Sequence, residues 1–64
     1  MKTQSINIAV TLTDEQAWQY AQLLKRISFN EYRHNATCDD EAYLMRDAGE
    51  LIRRALAEQG YEPR

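Results

Sequence analysis

Cysteine, proline and glycine are scarce in this sequence. Its 64 residues include one cysteine, one proline and two glycines. A single cysteine excludes a disulfide within the chain and suits a reducing, cytoplasmic compartment. No apolar run approaches the roughly 20 residues that cross a bilayer, and no signal-peptide pattern opens the chain. We therefore expect neither membrane insertion nor secretion.

A broad basic surface is also missing, because the formal net charge is −2 and the sequence pI about 5.2. Diffuse electrostatic binding to nucleic acid or to anionic lipid is disfavoured by that charge. Hydrophobic residues make up 44% of the chain, which favours a folded domain over disorder. We predict one small domain over residues 1–64. A domain of about this size buries only about 60% of its unfolded surface, so oligomerisation is a common remedy.

Residues 5–12 alternate between apolar and polar or small side chains, which predicts a β-strand after a loose polar end at residues 1–4. One face of this strand would carry Ile6, Ile8, Val10 and Leu12. The other face would carry Asn7, Ala9 and Thr11. No later segment has a strand pattern, so we predict that the strand pairs with its copy in a homodimer. An extended arm packed on the helices of one chain remains the alternative.

The first helix is predicted over residues 14–27. Thr13 and Gln16 have the spacing of a capping box. Ser28 and Glu31 repeat this spacing, and two interpretations of the segment stay open. It forms either a short helix over residues 29–34 or a bent continuation of the first helix.

The last helix is predicted over residues 39–59, capped by Thr37 or Asp39. Gly60 is placed to adopt the left-handed conformation that ends a helix in a Schellman motif, with Tyr61 following. The apolar stripe predicted to face the core consists of Leu44, Ala48, Leu51, Ile52, Ala55 and Leu56. The predicted fold class is therefore α+β and helix-rich, with an N-terminal strand followed by two main helices.

This order of elements resembles that of ribbon-helix-helix repressors, in which a paired strand enters the major groove of DNA. The resemblance implies that Asn7, Ala9 and Thr11 would face the bases. The chain departs from such a ribbon because no Arg or Lys lies between Lys2 and Lys25. A DNA-binding transcriptional repressor is therefore the alternative function.

Candidate chemistry is sparse. His34 and Cys38 have the spacing of two metal ligands, but zinc needs three or four and the chain has no other His or Cys. The acidic run at residues 39–41 is typical of a helix start. No phosphate-binding loop or catalytic motif is present. We predict no enzyme activity, no cofactor and no metal.

Aromatic and arginine residues are the candidates for partner contacts, because Trp, Tyr and Arg are enriched in binding hot spots. Those selected from the sequence are Trp18, Tyr32, Tyr43, Arg46 and Arg53.

The run TLTDEQAWQYAQLLKRISFNEYR, followed by DDEAYLMRDAGELIRRALAEQGYEPR, resembles short uncharacterised proteins of bacterial phages, plasmids and integrative elements. The resemblance spans roughly residues 8–64 and implies a mobile-element context. It supplies no catalytic or binding residues. The leading hypothesis is a non-enzymatic protein–protein interaction module that blocks a host protein, by analogy with anti-CRISPR inhibitors in size and acidity.

Overall fold

Three helices make up the regular structure of the computed structural model, which describes residues 4–64. They are α1 (Asp14–Arg26), α2 (Phe29–His34) and α3 (Asp39–Glu58). The long helix α3 packs against both α1 and α2. The sequence predicted helices at 14–27 and 39–59, with a short helix at 29–34 as one of two interpretations. The predicted loose end at residues 1–4 lies outside the described residues except for Gln4.

The predicted α+β fold is wrong, because residues 4–64 contain helices and no β-strand. Residues 5–12 have no regular secondary structure, and both sides of the predicted ribbon are exposed. A strand requires a neighbouring strand to accept and donate backbone hydrogen bonds, and the described chain offers none. The exposed side chains include Ile6 (79%), Ile8 (74%), Val10 (69%) and Leu12 (43%).

The start of α1 follows from its sequence. Thr13 Oγ1 accepts a hydrogen bond from the Gln16 N–H at 3.0 Å, and Gln16 Oε1 accepts one from the Thr13 N–H at 3.0 Å. This is the capping box predicted from the spacing, and it satisfies two amide groups at the start of the helix.

A break at Ile27 and Ser28 separates α1 from α2. Ile27 has φ −68° and ψ 132°, and Ser28 has φ −101° and ψ 168°, so neither residue is helical. Glu31 stabilises the restart by accepting hydrogen bonds from the Ser28 hydroxyl at 2.9 Å and from its N–H at 3.3 Å. Of the two interpretations left open by the sequence, the separate short helix is the correct one.

The two ends of α3 differ in how well the sequence predicted them. The predicted side-chain cap is wrong: Cys38 occupies the N-cap position and its side chain makes no capping hydrogen bond. Thr37 instead donates its hydroxyl and its N–H to the Glu41 carboxylate, at 2.8 and 3.3 Å. The predicted Schellman ending is confirmed. Gly60 has φ +99°, and the Tyr61 N–H donates to the Leu56 carbonyl at 2.9 Å.

The core is built mainly from small side chains. Its members are Ala17, Ala21, Leu24 and Ala42, with Gly49 also buried. Small residues let helices approach closely but remove little apolar surface from water. Leu24 is the one large side chain that is buried in the described part of the chain.

The predicted apolar stripe of α3 is displaced from this core. Ala42 and Gly49 are buried on one face of the helix, whereas Leu44 and Leu51 are 70% and 63% exposed. Most of the stripe lies on the outer side of α3, and only Leu56 is half-buried.

Candidate interaction surfaces

An aromatic cluster covers the junction of α2 and α3. The rings of Phe29 and Tyr43 lie 4.8 Å apart between centroids, tilted by 30°. The Arg46 guanidinium lies 5.2 Å from the centroid of the Tyr43 ring, within the range of a cation–π contact. We refer to Phe29, Tyr43 and Arg46 as the aromatic patch. Tyr43 is 47% exposed, so the patch presents a ring and a cation to solvent.

Arg53 lies on the same side of α3 as this patch, because positions 43, 46 and 53 recur at helical spacing. Its guanidinium donates two hydrogen bonds to the Glu50 carboxylate, at 3.2 and 3.1 Å. These bonds raise the pKa of Arg53. Arg46 pairs with Asp47 at 3.2 Å. Exposed ion pairs of this kind add little to stability, so their positions matter mainly for what the surface can bind.

Tyr32, a residue of α2, is half-buried, and its hydroxyl lies against Gly49 of α3. A methyl group placed on Gly49 would overlap the Tyr32 hydroxyl, so the glycine at this mid-helix position leaves room for the ring. Burial raises the pKa of Tyr32, and the negative charge of Glu50 raises it further. The position of Tyr32 indicates a packing role alongside any contact with a partner.

Trp18 belongs to a different cluster, at the chain's C-terminal end. Its ring packs edge-on against Tyr61, with 5.2 Å between centroids and 73° between planes. The Tyr61 hydroxyl donates a hydrogen bond to Asp14 Oδ1 at the start of α1. Trp18 is 38% exposed. The contact ties the segment after α3 to the first turn of α1.

This tie has a consequence at alkaline pH. The hydrogen bond to Asp14 raises the pKa of Tyr61, and burial and the Asp14 charge act in the same direction. The stabilisation is therefore complete below the unfolded-state pKa of about 10, and it is lost as the pH rises through the higher folded-state pKa. We expect the free energy of unfolding to fall less between pH 8 and pH 11 in Tyr61→Phe than in the unmodified chain.

Urea denaturation at the two pH values measures this difference. Asp14→Ala removes the acceptor and should reduce the decline in the same way, with no further reduction in the double variant. An equal decline in all four proteins would show that the Tyr61–Asp14 bond is not the source.

The contact residues selected from the sequence are thus divided among three places. Tyr43, Arg46 and Arg53 share one side of α3, Tyr32 packs from α2 against Gly49, and Trp18 lies with Tyr61. Phe29 and Tyr61 were not selected. Their roles depend on the break before α2 and on the Schellman ending, which bring distant parts of the chain together.

Comparison with known protein families finds a match over the whole chain. Residues 1–64 match DUF7706, a family of unknown function. The chain belongs to this family. No curated protein and no solved structure matches it.

Candidate catalytic and metal-binding residues remain scattered in this member of DUF7706. His34 and Cys38 are exposed and lie in or beside the α2–α3 connection. Asp39 pairs with Arg33 Nε at 2.6 Å, and Glu41 is bonded to Thr37. Within residues 4–64, no group of three or more His, Cys, Asp or Glu side chains could hold a metal ion.

No helix within residues 4–64 combines the length and the apolar character needed to cross a bilayer.

The ribbon-helix-helix alternative depended on a paired strand at residues 5–12. Because this segment forms no strand, no element of the described chain can place Asn7, Ala9 and Thr11 together in a DNA groove.

Proposed function

We propose that this protein is a non-enzymatic protein–protein interaction module that acts by covering a surface of a bacterial host protein. The observation that supports the proposal is the aromatic patch, in which an exposed tyrosine is held between Phe29 and Arg46. Tyr and Arg are over-represented among residues that dominate binding energies.

The packing of the patch favours binding for a second reason. Stacking against Phe29 and contact with Arg46 restrict the Tyr43 ring before any partner arrives. A side chain that is already ordered loses less conformational entropy on binding, so more of its contact energy contributes to affinity. Arg53, held by Glu50, extends the patch along α3 and offers a donor at its rim.

The class of partner is part of the proposal. Because the sequence resembles proteins of mobile elements, the proposed partner is a host complex that acts against such elements. An inhibitor of this kind needs no cavity, because it works by excluding the natural partner from a surface. Tyr32 and Trp18 would serve mainly to hold the helices that present the patch.

Affinity capture with matched baits tests the proposal. The baits are the unmodified chain, the double variant Tyr43→Ala/Arg46→Ala, and the control Glu15→Ala/Gln19→Ala on the exposed side of α1. We expect a stoichiometric bacterial protein with the unmodified and control baits. We expect its recovery to fall at least about tenfold with the patch variant, as for the loss of a hot spot worth more than about 1.4 kcal/mol.

Circular dichroism of each bait is the control for folding, because it shows whether the variant retains its helices. Recovery of no stoichiometric partner, or equal recovery by the patch variant and the unmodified chain, would contradict the proposal.

A further inference from the structure

The molecule exposes more surface than a compact chain of its mass. Its accessible surface area is 5744 Å². The scaling for folded monomers gives about 4,200 Å² at 7.5 kDa, so the excess is about 1,500 Å². The radius of gyration, 13.0 Å, likewise exceeds the about 10.7 Å expected for a compact domain of this length. A stable interface buries about 800 Å² on each partner, well within this excess.

One part of the exposed apolar area lies on the outer face of α3. Leu44, Ala48, Leu51 and Ala55 follow one another at intervals of four, three and four residues, and all four are exposed. This is the spacing of the a and d positions of a helix-pairing seam. The next position is Glu58, so the apolar seam extends over about 18 Å of helix. We refer to these four residues as the outer seam.

A groove continues the outer seam onto the segment that precedes α1. Apolar side chains from both elements form its walls, and all but Leu56 are exposed. They are Ile8, Val10, Leu12, Ile52, Ala55 and Leu56. An isolated chain would leave this groove and the seam in contact with water at a large hydrophobic cost.

A second copy of the chain has the right pattern to cover the seam. When two α3 helices run antiparallel about a point between Gly49 and Glu50, Leu44 faces the partner's Ala55 and Leu51 faces the partner's Ala48. Each large side chain then meets a small one, which allows close interdigitation of the two helices. A parallel pairing in the same register would instead oppose leucine to leucine and alanine to alanine.

The charges beside the seam agree with the same arrangement. Asp47 and Arg54 lie seven residues apart on one flank of the outer seam, too far apart to pair within one helix. In the antiparallel arrangement Asp47 lies opposite the partner's Arg54, and the two-fold axis generates this pair twice. Arg54 has no ion pair among residues 4–64, so it is available for such a contact.

We propose that two copies of this chain form a symmetric homodimer by antiparallel packing of their outer seams, with the segment before α1 completing the interface. The outer seam contains no residue of the aromatic patch, which lies on another side of α3, although Asp47 beside the seam also pairs with Arg46 of the patch. The dimer would carry two copies of the patch and so present two partner-binding surfaces.

Light scattering behind a sizing column tests the proposal at several protein concentrations. The unmodified chain should have a mass near twice 7.5 kDa. Leu51→Glu places a charge at the centre of the seam and should shift the mass to that of one chain. The matched control, Leu23→Glu on α1, also replaces an exposed leucine and should remain dimeric.

A charge exchange decides the case if Leu51→Glu fails to fold. Asp47→Arg and Arg54→Asp each place like charges opposite one another in both symmetric contacts, and each should raise the dimer dissociation constant about tenfold or more. An equal mixture of these two variants should form a heterodimer with both contacts restored.

Three results would overturn the proposal. The first is a single-chain mass for the unmodified protein at about 100 μM, a concentration well above the dissociation constants of specific interfaces. The second is a dimeric Leu51→Glu variant, which would place the interface elsewhere. The third is unchanged association of both charge variants, with no preference for the mixed dimer.

Discussion

Replacement of Leu24 by alanine should lower the free energy of unfolding by about 2–5 kcal/mol. Leu24 is 6% exposed, and the other buried apolar residues of the described chain are alanines, so the substitution removes the one large buried side chain. A domain of this length has a total stability of only about 3–10 kcal/mol. We expect the midpoint of thermal unfolding to fall by more than about 10 °C.

Leu23→Ala is the matched control, because it removes the same atoms from the neighbouring residue, which is 48% exposed. It should cost less than about 1 kcal/mol, as is usual for exposed positions. Thermal and urea denaturation followed by circular dichroism, at one protein concentration, measures both variants. Equal losses for the two substitutions would mean that Leu24 is not the centre of the core.

Replacing a core alanine by a larger residue should also lower the stability, in this case by overpacking the core rather than by leaving a cavity. Ala21 is fully buried on the face of α1 that also buries Ala17 and Leu24. Leucine at position 21 would have to push the packed helices apart. Overpacking of this kind costs about 1–3 kcal/mol, and more where neighbours cannot rearrange. We expect a midpoint of thermal unfolding at least about 5 °C lower for Ala21→Leu.

Gln19→Leu provides the comparison, since position 19 is exposed on the same helix and leucine and glutamine have similar helix propensities. Its unfolding midpoint should stay within a few degrees of the unmodified chain. A stabilised Ala21→Leu variant would show that the helices leave unfilled space at this position.

The ends of the helices could be predicted from sequence where the signal is local. Thr13 and Gln16 are three residues apart, and a side chain can bridge this distance whatever the rest of the chain does. Gly60 similarly acts within one turn of the helix it ends. Even local rules fail where two side chains compete: Thr37 bonds to Glu41 and leaves Cys38 at the N-cap position.

The strand and the core could not be predicted in this way. Alternation at residues 5–12 indicates which side chains share a side, but a β-sheet also needs a hydrogen-bonding neighbour elsewhere in the structure. For α3, periodicity identified Leu44 and Leu51 as one apolar face. It could not indicate that the smaller pair, Ala42 and Gly49, would be the one to face the other helices. That choice depends on Tyr32 packing over Gly49, a contact between separate elements.

The bond from Tyr61 to Asp14 brings together two points that are 47 residues apart along the chain. The start of α1 and the segment that follows α3 therefore lie next to each other. A unit whose ends lie close together can be inserted into a surface loop of another protein without separating the two ends of that loop. Domain insertion requires this proximity. The stretch from Thr13 to Tyr61 is therefore suited to insertion as a unit, but such an insert would lack the segment before α1 that completes the proposed dimer interface.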